Sequence, residues 1–310
     1  MTAAVHDNLA WFSARPALSV LIPFLRDDPE TLIELLDREA SRLNGAAELV
    51  LLDDGTNDLD LTARLIARIE ASALPTRLIS LSENEGRSVG RNRLAAAARG
   101  SSLLFLDSDM RPDHDRFLTT WAELAATRNT AVAFGGFSLL QAPDDARFAV
   151  HRSMAARSDC TPREQRALQP EKHVFTSNLL VRRDVFETEA FDADFRGWGW
   201  EDVEWAMRVS RRFKVEHIDN PATHMGLDTV DSLAAKYEQS APNFARVVAR
   251  HPDFVAAYPS YRVARRLQAV PGLKAIRPLF KQAARLPILP VALRAFSLRL
   301  YRVALYAEAI

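Results

Sequence analysis

The sequence predicts an α/β fold in which a mostly parallel sheet is flanked by helices. Short apolar segments alternate with amphipathic segments through the first third of the 310-residue chain. This alternation is typical of strand–helix units. The apolar segments are also continuous, as in strands that are buried on both faces of a parallel sheet. Because 48% of the residues are apolar, the chain can bury a core large enough for one large domain or two smaller ones.

Four strands and three helices are expected before residue 111. Asp28 and Pro29 mark the start of the first helix, as an N-cap and a proline at the first helical position. Acidic residues and glycine end the second strand, and acidic residues end the fourth. The expected strands are 17–24, 47–55, 76–82 and 101–110, and the expected helices are 28–43, 59–72 and 87–100.

The second half of the chain is less regular. We expect a further strand over 130–140, and a long polar loop or mobile lid over 143–170. Residues 173–187 suggest a strand pair that leads into a short helix. The remaining expectations are a helix from 201 to about 213, a strand over 214–219 and a helix over 228–252 that Pro242 breaks or kinks.

The composition limits the partners and the compartment. The chain has 40 basic and 40 acidic residues, so binding of nucleic acid by the molecule as a whole is not expected. Cys160 is the only cysteine, which rules out a disulfide within the chain and is compatible with a reducing compartment. A lone cysteine is more often inert than a nucleophile. The first residues lack the apolar core of a signal peptide, and no run of 18 apolar residues occurs, so we expect a cytoplasmic protein without a spanning helix.

The charge is distributed unevenly along the chain. Residues 254–310 carry ten basic residues and one acidic residue, and we interpret them as a basic helical extension of a domain that spans 1–253. Prolines at 271, 278, 287 and 290 are expected to divide the extension into short helices. Residues 262–302 could lie on an anionic membrane surface, at the cytoplasmic face of the inner membrane. Alternatively, they could pack on the acidic domain or form a dimer contact.

Acidic residues at two strand ends indicate a ligand site. Asp53 and Asp54 follow the second strand, and Asp107 and Asp109 follow the fourth. Ligands of parallel α/β sheets bind beyond the carboxyl ends of the strands. In an extended segment Asp107 and Asp109 would point the same way. They could then hold one Mg²⁺ or Mn²⁺ ion together with phosphate oxygens.

His224 lies in a loop bounded by Pro221 and Gly226. A lone histidine is usually a surface or hydrogen-bonded residue, and a ligand role requires that the loop fold back over the metal. Imidazole together with carboxylate would favour Mn²⁺ over Mg²⁺.

The segment FRGWGWEDVEW (195–205) combines two tryptophans with two glycines. If the segment is extended, Trp198 and Trp200 project to the same side, and Gly197 and Gly199 let the backbone approach a ligand. Flat aromatic rings beside acids are typical of a surface that binds sugars. The alternative is that both tryptophans belong to the core.

Glu201 and Asp202 follow directly and begin a helix. Acids at this position also stabilise the helix dipole. Because adjacent helical residues point about 100° apart, the two carboxylates would serve different roles, one as a base and one as a group that holds substrate.

Five segments in this order resemble family 2 glycosyltransferases of the GT-A fold. They are SVLIPF, LVLLDDG, ENEGRSVGRNRLAAAARG, LLFLDSD and FRGWGWEDVEW, and the last is similar to the acceptor-side segment of β-1,4-galactosyltransferases and chondroitin-polymerase-type enzymes. The resemblance implies a nucleotide-sugar half over about 17–127 and an acceptor half over about 128–228. It also implies inverting transfer from a UDP-hexose or UDP-N-acetylhexosamine to a glycan or lipid-linked glycan, in surface polysaccharide synthesis.

The resemblance also implies roles for single residues. Asp202 would be the catalytic base. The metal, Mn²⁺ or Mg²⁺, would be bound by Asp109 and His224, with Asp107 close to it. The residues expected to bind the nucleotide sugar are Pro23, Phe24, Asp54, Arg87, Arg91, Asp107 and Ser108. Those expected to bind the acceptor sugar are Trp198, Gly199, Trp200 and Glu201.

Two departures and two alternatives accompany this interpretation. Thr56 stands where the family commonly has serine, and Trp200 where a small residue is frequent, which bears on substrate preference. A nucleotidyltransferase on a similar sheet usually has a glycine-rich loop after the first strand, and PFLRDDPE has no glycine. A non-catalytic carbohydrate-binding module would not need Asp107, Asp109, Asp202 and His224 together.

Overall fold

A computed structural model describes residues 3–127 and 129–310. Its main sheet has the strand order β1-β4-β3-β2-β5-β9-β7-β10 within these residues, and a small sheet has the order β6-β11-β8. The strands are β1 Ala3–Asp7, β2 Leu18–Phe24, β3 Ala47–Asp53, β4 Thr76–Leu81, β5 Ser102–Leu106, β6 Met110–Pro112, β7 Val132–Phe134, β8 Phe137–Ser138, β9 Asn178–Arg182, β10 Val215–His217 and β11 Ala222–His224.

Helices cover both faces of the main sheet and form most of the C-terminal part. They are α1 Leu9–Ser13, α2 Glu30–Asp37, α3 Ala40–Leu43, α4 Leu59–Glu70, α5 Arg87–Ala97, α6 Phe117–Thr127, α7 Ala149–Ser158, α8 Arg163–Arg166, α9 Arg183–Thr188, α10 Glu201–Ser210, α11 Val230–Arg250, α12 Pro252–Val255, α13 Pro259–Leu267, α14 Leu273–Arg285 and α15 Val291–Ala309. Single 3₁₀ turns lie at Ala146–Phe148 and Pro170–His173.

Strands β2 to β5 confirm the prediction of a buried parallel sheet. They pair in parallel in the order β4-β3-β2-β5. Along β2, Val20 and Ile22 belong to the core on one face, and Leu21 belongs to the core on the other. The continuous apolar runs in the sequence exist because both faces are covered.

The small sheet brings two distant segments together at the carboxyl ends of the main strands. Strand β6 begins one residue after Asp109, and β11 ends at His224. The two strands pair antiparallel with Met110 opposite His224. This register places the histidine beside the end of β5.

Several expectations for the middle of the chain were wrong. Residues 130–140 form two strands in different sheets, because the chain turns at Gly135 and at Gly136, whose φ is 101°. Residues 143–170 are not a long loop, since α7 and α8 lie within them. Residues 173–187 contain one strand, β9, and not a pair. The antiparallel edge strand β1 was not anticipated.

The C-terminal extension shares a hydrophobic core with the domain that precedes it. Val150 of α7 and Phe244 of α11 pack in one cluster with Leu298 and Tyr306 of α15. Pro278 lies inside α14 and does not divide it, contrary to expectation. Within the described residues, no helix combines the length and the apolar character that a membrane crossing requires.

Candidate active site

A cavity of about 1290 Å³ opens at the carboxyl ends of the central strands. Its wall includes Asp107 and Asp109 after β5, the Trp198–Asp202 segment before and at the start of α10, and Arg302 and Tyr306 of α15. The acids after β5 and the acids of α10 therefore face one space, although about 95 residues separate them in sequence. The two groups of acids are therefore placed where they can act together on one pair of substrates.

We expected Asp107 and Asp109 to lie in an extended segment, but they reach the cavity through a turn. The Met110 amide donates to the Asp107 carbonyl at 3.1 Å, which closes the turn. Both carboxylates nevertheless line the cavity. Ser108 lines a smaller cavity, which shares Asp27 and Asp109 with the first.

Asp109 and His224 form a close pair. His224 Nε2 lies 3.1 Å from Asp109 Oδ2. Partial burial opposes ionisation of Asp109, but the hydrogen bond and positive charge of His224, with the charge of Arg87, hold the Asp109 pKa below its ordinary range. Burial likewise opposes protonation of His224, but Asp109 outweighs it and raises the His224 pKa.

Gly226 makes this pair possible and was not identified from the sequence. A Cβ atom at Gly226 would lie 2.0 Å from Asp109 Oδ2 and 3.3 Å from His224 Nε2. Any side chain there would occupy the space of the carboxylate. The loop after β11 thus folds back over Asp109, and the Met225 amide donates to the Asp109 carbonyl at 3.0 Å.

The residues present fit a divalent cation that is shared with substrate. Within the described residues, no cluster of three or more His, Cys, Asp or Glu side chains forms a complete metal site. Asp109 and His224 offer one carboxylate oxygen and one imidazole nitrogen beside the open cavity, and Asp107 lies on the same wall. Such a small protein ligand set suits an ion that completes its coordination with phosphate oxygens.

Arg87 and Arg91 occupy successive turns of α5 and differ in exposure. The Arg87 side chain is 43% exposed and lines the cavity, whereas the Arg91 side chain is 2% exposed and lies behind it. Arg91 Nη2 donates to Asp107 Oδ1 at 2.8 Å, and Nη1 lies 3.6 Å from Glu201 Oε1. Arg91 therefore links an acid after β5 to an acid of α10, while Arg87 is placed to contact a ligand.

Asp202 is the acid of α10 whose ionisation is most altered. Removal from water, reinforced by the negative charge of Glu201, raises the pKa of Asp202 to about 7, while Arg91 and Arg87 act in the opposite direction. Its neighbour Glu201 is 4% exposed and lies within ion-pair distance of both arginines. The two acids thus have different surroundings, and their separate roles stay a prediction.

The Trp198–Trp200 loop is not extended. Gly197, Gly199 and Trp200 all have left-handed φ angles, of 73°, 87° and 76°, so the glycines serve the turn and its packing on α11. Asn243 of α11 donates to the Arg196 and Gly199 carbonyls, both at 2.9 Å.

The two tryptophans are half-buried and also line the cavity. The Trp198 ring lies 6.2 Å from the Tyr237 ring, and the Trp200 ring lies 5.0 Å from the Phe244 ring. Trp200 Nε1 donates to the Tyr306 hydroxyl at 3.0 Å. The aromatic wall is therefore built partly from the C-terminal extension, which sequence reasoning did not include in the site.

The residues expected to bind the nucleotide lie at the same edge of the sheet. Pro23 and Phe24 end β2, and Asp54 follows β3. Asp54 Oδ1 accepts from the Glu85 amide at 2.8 Å, and Oδ2 accepts from the Gly86 amide at 3.1 Å. Burial raises the Asp54 pKa in spite of these bonds. Asp54 thereby connects the end of β3 to the start of α5, and its expected contact with the nucleotide sugar stays a prediction.

Further residues that line the cavity were not predicted from the sequence. Asp27 lines both cavities, and its pKa is raised by burial and by the charge of Asp109; its place after β2 is a signal that could have revealed it. His151 of α7 lies 6.2 Å from His224, ring to ring. Cys160 also lines the cavity, but burial raises its pKa to about 11, which leaves the thiol protonated and makes a thiolate nucleophile unsuitable there.

A family model described as "Glycosyl transferase family 2" matches residues 19–189. The chain belongs to this family.

Relatives and solved structures agree with the assignment. The chain is 28% identical to dolichyl-phosphate beta-glucosyltransferase of Drosophila melanogaster, over 40% of this chain and 41% of that protein. It is 30% identical to TuaG of Bacillus subtilis, a glycosyltransferase named for teichuronic acid biosynthesis, over 41% of this chain and 48% of that protein. The chain thus spans less than half the length of each relative.

The mannosyltransferase PcManGT of Pyrobaculum calidifontis, solved with GDP-Man and Mn²⁺, is similar over 100% of this chain and 90% of that one. The TM-score is 0.58 and the identity 14%, so the likeness concerns the fold. The family 2 chain therefore has the expected GT-A-type architecture, with a large sheet flanked by helices. Membership in a glycosyltransferase family disfavours the nucleotidyltransferase alternative.

Proposed function

We propose that the protein is an inverting, metal-dependent glycosyltransferase. The donor is a nucleotide sugar, of the UDP-hexose or UDP-N-acetylhexosamine class, and the acceptor is a hydroxyl of a glycan or lipid-linked glycan. The observation that carries the proposal is that Asp202 and the Asp109–His224 pair line one cavity. One group is suited to activate an alcohol, and the other is suited to hold a cation against a diphosphate.

The donor side of the reaction depends on fixed charges. Asp109 and His224 would hold Mn²⁺ or Mg²⁺, which when bound offsets charge on the departing diphosphate. The exposed guanidinium of Arg87 faces the same space and adds a second positive charge. Asp107, Pro23, Phe24, Asp54 and Ser108 complete the proposed donor side at the ends of β2, β3 and β5.

The acceptor side depends on Asp202. Its carboxylate accepts the proton of the attacking hydroxyl while the oxygen forms a bond to the anomeric carbon and the bond to the diphosphate breaks. Attack on the face opposite the leaving group inverts the anomeric centre and needs no covalent sugar–enzyme intermediate. A base with a pKa of about 7 is well matched to this task at neutral pH.

Glu201 and the aromatic wall would orient the acceptor. Arg91 holds Glu201 and Asp107 in fixed positions relative to each other, which favours alignment of the two substrates. Trp198 and Trp200 offer apolar faces to a sugar ring. We propose that residues 17–127 bind the donor and 128–228 the acceptor, and that 254–310 complete the acceptor wall of the 1–253 domain.

The names of the relatives support the acceptor class. One is named for a dolichyl-phosphate acceptor and the other for synthesis of a teichuronic acid, which supports a lipid-linked or polymeric glycan in surface polysaccharide synthesis. The GDP-Man complex of the structural neighbour is a reason to test GDP-sugars beside UDP-sugars.

The test is hydrolysis and transfer with a panel of UDP- and GDP-sugars in the presence of Mn²⁺. Wild-type protein should turn over one class of donor, and EDTA should abolish turnover. The Asp202→Asn variant should lose about 10²- to 10⁴-fold in transfer rate and still bind the donor. Asp194→Asn, an exposed acid of the preceding loop, is the matched control. Transfer that persists in Asp202→Asn would show that the base is another residue.

We also propose that the protein works as a peripheral protein at the cytoplasmic face of the inner membrane. The turn between α14 and α15 and the first turns of α15 carry exposed apolar side chains, with Ile288 87% exposed and Phe296 58% exposed. Basic residues flank this turn in the 262–302 segment. Such a surface combines apolar insertion with attraction to anionic lipids.

A further inference from the structure

The C-terminal extension places one positively charged side chain in the acceptor wall. Arg302 of α15 lines the active-site cavity. The centre of its guanidinium lies 5.3 Å from the centroid of the Tyr237 ring. Tyr237 in turn lies beside Trp198, and Tyr306 on the same helix donates or accepts hydrogen bonds with Trp200 and Ser240. Arg302 therefore belongs to the aromatic wall next to the proposed base.

The guanidinium of Arg302 has a phenol but no ion-paired carboxylate as a partner in the fold. Its Nε is buried and has no hydrogen-bond partner. The guanidinium forms a hydrogen bond with Tyr237, and no ion pair among the described residues includes it. Arg87 and Lys236, by contrast, are cavity cations that already have carboxylate neighbours in Glu201 and Asp228. An arginine of a cavity wall that has no carboxylate in an ion pair can bind an oxyanion, because its donors are arranged in a fixed fork.

The groups that face Arg302 are the phenols of Tyr237 and Tyr306 and the carboxyl group of Asp159. The Tyr237 pKa is raised by burial to about 12, so its phenol is neutral. The nearest acid of the wall, Asp159, accepts a hydrogen bond from Ser158 Oγ at 2.7 Å. Burial raises the pKa of Asp159, while the hydrogen bond from Ser158 and the charge of Arg302 act in the opposite direction.

We propose that Arg302 binds an anionic group of the acceptor, a phosphate or a carboxylate, while a hydroxyl of the same acceptor meets Asp202. The inference rests on the proposed glycosyl transfer and deepens it by naming the acceptor class. Phosphate and carboxylate share the chemistry that an arginine fork recognises. A lipid phosphate or a phosphate-bearing glycan would supply the first, and a uronic acid would supply the second.

Binding of small probes to full-length protein tests this assignment without turnover. Titrations use phenyl phosphate, phenyl glucuronide and neutral phenyl glucoside, with the donor site saturated by UDP and Mn²⁺. We expect the wild type to prefer at least one anionic probe over the glucoside by about 10-fold or more. Arg302→Gln should remove that preference, and Arg302→Lys should retain part of it, since lysine keeps the charge without the fork. Which probe is preferred distinguishes a phosphate acceptor from a carboxylate acceptor.

Two controls separate the possible failures. Arg266→Gln, an exposed arginine of α13, should bind the probes like the wild type, and Arg302→Gln should bind UDP and Mn²⁺ like the wild type. Equal probe affinities in the wild type and Arg302→Gln would overturn the proposal. So would loss of UDP affinity in Arg302→Gln, which would assign Arg302 to the donor diphosphate. Lys172 also lines the cavity, and loss of the preference in Lys172→Gln alone would overturn the proposal as well. Absence of any donor turnover in the wild type would refute the proposed transfer while leaving the binding result to stand.

Discussion

The carboxyl group of Asp202 is the residue-scale feature that most directly controls the proposed chemistry. Its pKa of about 7 follows from removal from water and from the negative charge of Glu201. At pH values below its pKa an acid is mostly protonated, and the protonated form is unable to accept a proton. The rate should depend on pH over a range in which an ordinary aspartate would already be fully ionised.

The first prediction concerns this pH dependence. We expect kcat/KM to rise about 10-fold per pH unit up to about pH 7 and then to level off, because only the ionised carboxylate acts as a base. Glu201→Gln removes the neighbouring negative charge, so it should lower the Asp202 pKa and move the rising limb to lower pH. Rates measured from about pH 5 to 9 would check this, and a flat profile in the wild type would contradict it.

The second prediction concerns Gly226. In Gly226→Ala the new Cβ would fall on the position of Asp109 Oδ2, at 2.0 Å, so the carboxylate must leave His224. We expect apparent Mn²⁺ affinity to fall by about 10-fold or more, with little change in the folded structure, since the loop lies at the cavity. Mn²⁺ titration of activity and thermal unfolding measure the two effects. Unaltered Mn²⁺ affinity would show that Asp109 and His224 are not the ligands.

Residues of the site differ in how visible they are from sequence. Asp107 and Asp109 stand directly after an apolar run, so the rule that ligands bind at carboxyl strand ends finds them. No local sequence signal identifies Gly226 or Arg302. Their importance depends on which atoms of a distant segment lie within a few ångströms of them. The sequence also did not show which of Arg87 and Arg91 is exposed to the cavity. The exposure of residues one turn apart depends on the small rotation of α5.

At the scale of elements, the start of α10 determines where the two acids point. Trp200 precedes the helix with a φ of 76°, a conformation that a bulky residue adopts only when its surroundings hold it. The surroundings are α11 and α15, through the Phe244 ring at 5.0 Å and the Tyr306 hydroxyl at 3.0 Å. The C-terminal helix thus fixes the entry into the helix that carries Asp202.

The third prediction tests this connection by removing one oxygen atom. Tyr306→Phe loses the hydrogen bonds to Trp200 Nε1 and Ser240 Oγ and leaves the ring packing intact. We expect a stability loss of about 1–2 kcal/mol together with a fall in kcat, while the donor KM stays unchanged. Urea unfolding and steady-state kinetics give both numbers.

A matched variant on the same helix makes the result interpretable. Tyr301 donates to Glu238 Oε1 at 2.5 Å and does not contact the tryptophan loop. Tyr301→Phe should therefore destabilise the protein by a similar amount without lowering kcat. If both variants lower kcat equally, the effect of Tyr306 is general destabilisation and not positioning of α10.

Elements were predictable where local pattern and tertiary environment agree. Strands β2, β3, β4 and β5 are buried on both faces, so their apolar runs stand out. Residues 143–170 were expected to be a loop because their composition is polar, yet α7 forms there. Its apolar positions are few, with Val150 and Met154 buried against α11 and α15, and that partner surface cannot be seen in the segment itself.

At the scale of the whole molecule, the acidic domain and the basic extension form one continuous body. The core that contains Phe244 also contains Leu298 and Tyr306, and the extension supplies part of the cavity wall. The sequence left several alternatives open for 262–302. The structure shows packing on the domain, through the inner faces of α13, α14 and α15. Removal of the extension would expose this core, so its role cannot be tested by truncation.

The outer face of the extension leads to the last prediction, for which point variants of the full chain are suitable. Ile288 and Phe296 are exposed, so replacing both with serine should leave stability within about 0.5 kcal/mol. If the α14–α15 turn and the first turns of α15 enter the membrane interface, the double variant loses about 1.5–3 kcal/mol of transfer free energy per side chain. Flotation with vesicles of phosphatidylglycerol and phosphatidylcholine should then fall at least 10-fold. Raised salt should weaken flotation of the wild type, because the basic residues attract the anionic lipid.

Leu9 of α1 is an equally exposed leucine, at 91%, and serves as the control. Leu9→Ser should float like the wild type. Equal flotation of wild type and double variant would assign the turn to another contact, and the protein would then reach its acceptor without this surface.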